Sequence, residues 1–167
     1  MLLNWKALSL QSVRVKLAEF ALLPLRLVVG YGFMAHGYAK LARGPADFIH
    51  ILGALGVPVP GLMGWLTIGT ELIGGFAVLI GAFVMLVSAP LAAILVVAAL
   101  TVHLQYGFST IKLQAVTAAG VQFGQPGFEL DLLYLACLVT LVLSGPGPFA
   151  IDNLLAHRYE EIICQKV

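Results

Sequence analysis

The sequence predicts an all-α membrane protein: an antiparallel bundle of four transmembrane helices, with surface helices at both termini and a small hairpin-like loop between helices 3 and 4. Three observations predict this fold. Only 10% of the 167 residues are charged and 60% are hydrophobic, whereas about a quarter of an ordinary soluble domain is charged. The mean hydropathy is +1.00. Four long apolar segments are separated by connections containing glycine, proline or polar residues.

Charge and cysteine usage narrow the function classes. The net charge of +1 excludes nucleic-acid binding, which needs clustered lysine and arginine to neutralise phosphates. Cys137 and Cys164 form no CxxC motif, so neither a redox pair nor a thiolate metal site is indicated. The expected partners are the lipid bilayer, apolar ligands and other membrane subunits.

The N-terminal segment, residues 1–20, has the spacing of an interfacial helix, and the first span follows over 21–42. Pro24 is predicted to lie in the first turn of that span. At 100° per residue, one stripe of the span combines charged and small residues, and it should face protein rather than lipid. The stripe contains Arg26, Gly30, Phe33, Gly37 and Lys40, with His36 at its edge.

The connection over 43–61 is predicted to form a short helix, and the prolines of VPVPG at 57–61 to form a rigid elbow after it. The second span, 62–87, carries Glu71 near its middle. A charged group at a helix centre costs ~2.5–3.5 kcal/mol on insertion scales, so it is expected to face the bundle interior or a polar cavity. Glu71 is therefore the first candidate for a functional role.

The second half of the chain is predicted to turn at Ser88–Pro90 into a third span, 90–108, which carries His103. The alternating residues around TAAG at 117–120 favour a β-hairpin. A fourth span runs from Glu129 to Ser144, where GPGP at 145–148 ends it. The domain organisation is thus an interfacial helix (1–20), a four-helix transmembrane domain (21–148) and an amphipathic tail (149–167).

Depth along antiparallel spans predicts a polar cluster. Each residue rises ~1.5 Å along its helix, which brings five ionisable groups from four helices into one half of the bilayer. These groups are His36, Lys40, Glu71, His103 and Glu129. Arg26 lies deeper, with Glu71 or Asp152 as its expected partner. The cluster can be read as a ligand site or as interhelical hydrogen bonds alone.

Several ordered motifs resemble the DoxX family of small four-helix membrane proteins. They are Arg26, FMAHGYAK (33–40), LGVPVP (55–60), ELIGG (71–75), VH (102–103), GF (107–108), ELDLLYLA (129–136) and GPGPFAID (145–152). The resemblance implies a four-helix bundle in a bacterial cell (inner) membrane and an association with quinone-linked oxidoreductases. The distribution of lysine and arginine favours cytoplasmic termini.

The first functional hypothesis is therefore a subunit of a quinone-linked oxidoreductase or respiratory-type complex. Its candidate catalytic residues are Glu71, His103 and His36, and its candidate quinone-binding residues are Arg26, Lys40, Trp65, Glu129 and Tyr134. Phe33 and Tyr106 are further candidates for an aromatic slot. The sequence has no flavin or nucleotide fingerprint, so any redox reaction needs a cofactor or a partner chain.

Two other interpretations are open. In the second hypothesis the chain is a non-catalytic accessory or assembly subunit, whose polar residues only lock the bundle while its apolar surface docks on a larger complex. Haem ligation by His36 and His103 is disfavoured, because each is a lone histidine without a confirming motif. A divalent metal site formed by His36, His103 and Glu129 lacks close ligand spacing, and no metal is assigned.

Overall fold

The computed structural model describes the backbone of residues 5–164 and the side chains of 17, 18, 20–156 and 158. Six helices and one hairpin make up the described part of the chain. They are α1 (Trp5–Arg43), α2 (Pro45–Ala54), α3 (Pro60–Ile80), α4 (Val84–Tyr106), β1 (Leu113–Thr117), β2 (Gly120–Phe123), α5 (Glu129–Ser144) and α6 (Ile151–Cys164). The short helix after the first span, the elbow before the second and the hairpin across TAAG are confirmed.

Helix α1 runs unbroken for 39 residues, so the break predicted near residue 20 is absent and Pro24 lies inside the helix rather than in its first turn. Proline removes one N–H from the helical ladder, and here the helix continues through it. The predicted stripe is confirmed: Arg26, Phe33 and Gly37 are buried. The amphipathic face predicted for residues 1–20 lies mostly outside the described side chains, and its membrane position stays a prediction.

The turn between the second and third spans was predicted in the wrong place. The chain reverses at Gly81–Phe83, where Gly81 has φ 71° and Phe83 has φ 50°, and Pro90 lies inside α4. Helix α4 begins at Val84 because Asp152, a residue distant in the sequence, caps its first turn. One carboxylate oxygen of Asp152 accepts a hydrogen bond from Phe83 N at 2.7 Å and the other from Val84 N at 3.0 Å. This carboxylate satisfies N–H groups that a helix start leaves free.

Replacing Asp152 by alanine is expected to destabilise the protein by about 1–2 kcal/mol, the usual cost of losing an N-terminal helix cap. Thermal unfolding in detergent micelles measures the change. Asp152→Asn is the matched control, because its single amide oxygen retains one of the two hydrogen bonds. An alanine variant that unfolds at the temperature of the parent protein would show that α4 does not need this cap.

Within the described residues, three helices are long and apolar enough to cross a membrane: Phe20–Arg43 of α1, α3 and α4. Helix α5 has 16 residues and is ~24 Å long, somewhat short of the ~30 Å hydrocarbon core. Its crossing as a fourth span remains a prediction. All four helices nevertheless contribute to one hydrophobic core, which contains Val29, Phe33, Val78, Val84, Leu91, Leu138 and Leu141.

Helices α1 and α3 approach each other closely at two glycines, Gly30 and Gly75. A Cβ added to Gly30 would lie 2.7 Å from the carbonyl oxygen of Gly75, and one added to Gly75 would lie 2.8 Å from the carbonyl oxygen of Gly30. Backbone therefore meets backbone here with no room for a side chain. Small residues at such a contact are typical of membrane helices, which gain stability by close packing.

Candidate functional site

A cavity of about 440 Å³ lies at the end of the helices where the connections 44–59 and 107–128 are found. Side chains from α1 to α5 and from both connections line it, and most of them are aliphatic. The polar and aromatic members of the lining are Phe33, His36, Lys40, Phe48, Thr67, Glu71, Thr101, His103, Asp131 and Tyr134. We call it the polar cavity.

The first ion pair of the polar cavity joins Lys40 of α1 to Glu71 of α3. Lys40 Nζ lies 2.5 Å from both carboxylate oxygens of Glu71. Glu71 is only 4% exposed, whereas 23% of the Lys40 side chain is exposed. The prediction that Glu71 faces inward is confirmed, and the pair cancels a charge that would otherwise be isolated in an apolar helix.

The second pair joins His103 of α4 to Asp131 of α5, and it is an ion pair when the imidazole is protonated. His103 Nδ1 lies 2.6 Å from Asp131 Oδ2, and Asp131 is 6% exposed. A carboxylate that holds one ring nitrogen fixes the orientation of the imidazole and leaves Nε2 for another partner. The two pairs thus line one cavity, each with a buried carboxylate.

Asp131 is not among the site residues predicted from the sequence, and Glu129 was predicted instead. Residues two positions apart on a helix point about 200° apart, so only one of the two can face the interior. The helical spacing of α5 could have identified Asp131. Leu138 and Leu141, seven and ten residues later, lie on the same face of the helix and are buried core residues. Glu129 accepts a hydrogen bond from Thr110 N at 2.9 Å and does not line the cavity.

The predicted aromatic slot is only partly formed. Phe33 and Tyr134 both line the cavity, with their rings edge to face at 5.4 Å between centroids. His36 lines it too, although its side chain is exposed. Trp65 does not line it and is 55% exposed. Tyr106 lies outside it as well, and the centroid of its ring lies 5.8 Å from Lys112 Nζ.

Arg26 lies away from the polar cavity, near the turn between α3 and α4. Its Nη1 donates to the carbonyl of Pro146 at 2.7 Å and its Nη2 to that of Phe149 at 3.4 Å. Both carboxylates expected as its partner are engaged elsewhere, Glu71 with Lys40 and Asp152 with the start of α4. Arg26 is 2% exposed, and it ties α1 to the segment before α6.

Two π-helical turns hold residues of the ion pairs. Glu71 lies in the turn Thr70–Gly74 of α3, and His103 ends the turn Ala99–His103 of α4. A π turn contains more residues than an α turn, and such turns are frequent at functional sites. Each one shifts the side chains that follow it relative to an ideal helix, so the α-helical wheel of the sequence misjudges their direction.

A metal site on the predicted histidines is not assembled in the described part of the chain. No three side chains of histidine, cysteine, aspartate or glutamate come together there in a way that could hold a metal ion. Glu129 in particular is bound to the backbone of the loop rather than to His103.

The family model described as DoxX matches residues 21–104, half of the chain. The chain belongs to the DoxX family. Three of the four ion-pair residues of this DoxX protein, Lys40, Glu71 and His103, fall within the matched region, and Asp131 lies beyond it.

One relative of this DoxX protein is described as an uncharacterized protein of Haemophilus influenzae. The two chains are 28% identical over 130 residues, which is 77% of this chain and 86% of the relative. No solved structure matches the chain.

Proposed function

We propose that this DoxX protein is a membrane subunit that binds a quinone or quinol in the polar cavity, as part of a quinone-linked oxidoreductase or respiratory-type complex. The proposal includes a bacterial inner membrane as the location, with both termini in the cytoplasm. The main observation that supports this proposal is that two ion pairs, Lys40–Glu71 and His103–Asp131, lie in the wall of one largely aliphatic cavity.

The polar cavity fits a ligand with an apolar body and a polar head. Its volume of about 440 Å³ is in the range of small-molecule sites, about 300–1,000 Å³, which combine apolar walls with a few polar groups. Phe33 and Tyr134 offer aromatic surface to a planar ring. A quinone has two carbonyl oxygens that accept hydrogen bonds, and on reduction to the quinol it takes up two electrons and two protons.

The two ion pairs are suited to different parts of that task. Lys40 Nζ, held against Glu71, can donate to a carbonyl oxygen of the ligand. His103, held at Nδ1 by Asp131, can donate a proton from Nε2 or accept one there. Asp131 then stabilises the imidazolium that forms, so the His103–Asp131 pair is the proposed proton-exchange group.

Electrons must pass to or from a partner in this proposal. The sequence offers no flavin or nucleotide fingerprint and no cysteine pair, so the chain is assigned ligand binding and proton exchange. The alternative, an accessory subunit without a ligand of its own, retains the ion pairs as structural contacts. Native mass spectrometry of the particle from mild detergent separates the two, because only the first expects quinone to accompany the chain.

Substitution of His103 tests directly whether the polar cavity binds a quinone. His103→Ala is expected to weaken binding of a short-chain quinone analogue about tenfold, the equivalent of one lost hydrogen bond. Asp131→Asn is expected to have a smaller effect of the same sign, because the imidazole remains but loses its orienting charge. Isothermal titration calorimetry in detergent gives the dissociation constants.

His50→Ala is the matched control for this experiment. His50 is exposed on α2 and does not line the polar cavity, so its removal should leave the dissociation constant unchanged. If His103→Ala and Asp131→Asn also bind the analogue as tightly as the parent protein, the site is not the one proposed.

A further inference from the structure

The hairpin between α4 and α5 has one apolar face. Val116 pairs with Val121 and Leu113 pairs with Phe123, while a register shift between Leu113 and Ala115 makes Gln114 the extra residue of its strand. Side chains alternate along a regular strand, and a bulge changes that alternation. The shift therefore brings both apolar pairs onto the same face, and all four side chains are more than half exposed.

The base of the hairpin is fixed to the end of the helices. Phe128 N donates to the carbonyl of Gly107 at 3.1 Å, and Glu129 N to that of Phe108 at 3.0 Å. Thr110 N donates to the carboxylate of Glu129 at 2.9 Å. Because α4 is long and apolar enough to span the membrane, its end lies near the membrane surface. The hairpin starts there, and the headgroup zone is about 5–7 Å thick on each side.

Charge identifies the partner that this face fits. From Leu104 to Phe128 the chain contains a single charged residue, Lys112, and its Nζ lies 5.8 Å from the ring centroid of Tyr106. Tyrosine is enriched at membrane–water interfaces, and lysine extends its ammonium toward the headgroups there. An apolar face beside a lone cation and without acidic residues matches lipid with phosphate headgroups.

We propose that the hairpin is a membrane-surface anchor. Its apolar face, Leu113, Val116, Val121 and Phe123, lies against the acyl chains at the lipid surface. Lys112 lies at the level of the lipid phosphates, and Gln122 on the opposite face points to water. This interaction is independent of any ligand in the polar cavity. A two-stranded hairpin is marginally stable alone, and lipid contact supplies the missing support for its exposed face.

Tryptophan fluorescence tests the anchor in the full-length protein. The background carries Trp5→Phe and Trp65→Phe, and single tryptophans are introduced as Val116→Trp on the apolar face and Gln122→Trp on the opposite face. In vesicles of phosphatidylcholine brominated near the headgroup, Val116→Trp is expected to be quenched about threefold more strongly than Gln122→Trp, as an interfacial side chain should be. Iodide in the aqueous phase should give the reverse order.

Phe123→Trp repeats the measurement at the other apolar pair, so that a local disturbance at one position does not decide the result. Equal quenching by brominated lipid at the apolar and polar positions overturns the proposal. A second result also overturns it: the Val116→Trp fluorescence is protected from both quenchers, but only at a high protein-to-lipid ratio. That result would mean that a second copy of the chain, rather than lipid, covers the apolar face.

Discussion

Replacing Lys40 by methionine is expected to destabilise the protein by about 3–5 kcal/mol, the cost of leaving one member of a buried ion pair without its partner. Glu71 would then keep its carboxylate at 4% exposure with no cation beside it. Chemical unfolding in mixed micelles gives the free energy of unfolding of the parent and the variant.

Glu71→Leu is expected to cost less than Lys40→Met, because the two partners differ in access to water. The Lys40 side chain is 23% exposed, and a long lysine can extend its ammonium toward solvent. The double variant Lys40→Met/Glu71→Leu should recover most of the lost stability, since apolar pairs of similar volume replace buried ion pairs well. It should still fail to bind a quinone if the pair contributes to the ligand site.

Arg43→Met is the control for these variants. Arg43 is exposed at the end of α1 and lies outside the two ion pairs, and a surface substitution of this kind usually changes stability by less than about 0.5 kcal/mol. Equal losses in Lys40→Met and Arg43→Met would mean that the Lys40–Glu71 pair does not contribute to stability.

Gly75→Val is expected to destabilise the protein by about 3 kcal/mol, the upper part of the usual cost of overpacking. An added Cβ would lie 2.8 Å from the carbonyl oxygen of Gly30, 2.9 Å from Met34 N and 2.9 Å from Phe33 Cβ. Two of these atoms belong to the backbone of α1 and cannot move independently. The helices must separate, and the core around Phe33 loses contacts.

Gly69→Ala is the matched control, because a Cβ at Gly69 meets nothing within 4 Å. Alanine is the better helix former, so this variant should be more stable than the parent by about 0.5–1 kcal/mol. Unfolding in the same micelles compares both glycines. A Gly75→Val protein as stable as Gly69→Ala would contradict close packing of α1 on α3.

The sequence was informative where physical cost restricts a residue. A carboxylate in an apolar helix must find a partner, and Glu71 indeed faces inward to Lys40. The stripe through Arg26, Phe33 and Gly37 was predictable because a helix repeats every 3.6 residues and lipid excludes charge. The hairpin followed from strand alternation on both sides of TAAG.

Features that depend on distant partners were not predictable. The start of α4 carries no capping residue of its own, because Asp152 provides the cap from about seventy positions away, and the turn was therefore assigned to Ser88–Pro90. Asp131 could not be distinguished from Glu129, because both acids lie in the first turn of α5. Its partner, His103, lies on another helix after a π turn, and that turn changes the direction in which His103 points.

The two π turns also bear on evolution. A π turn holds one residue more than the α turn it replaces, so a helix can absorb an inserted amino acid there without passing the shift to its far end. A homologue with a plain α-helix at Thr70–Gly74 or Ala99–His103 therefore needs one residue fewer to present the same downstream side chains. Aligning the two chains should open a one-residue gap at each turn, and an ungapped alignment would compare His103 with a residue that points elsewhere.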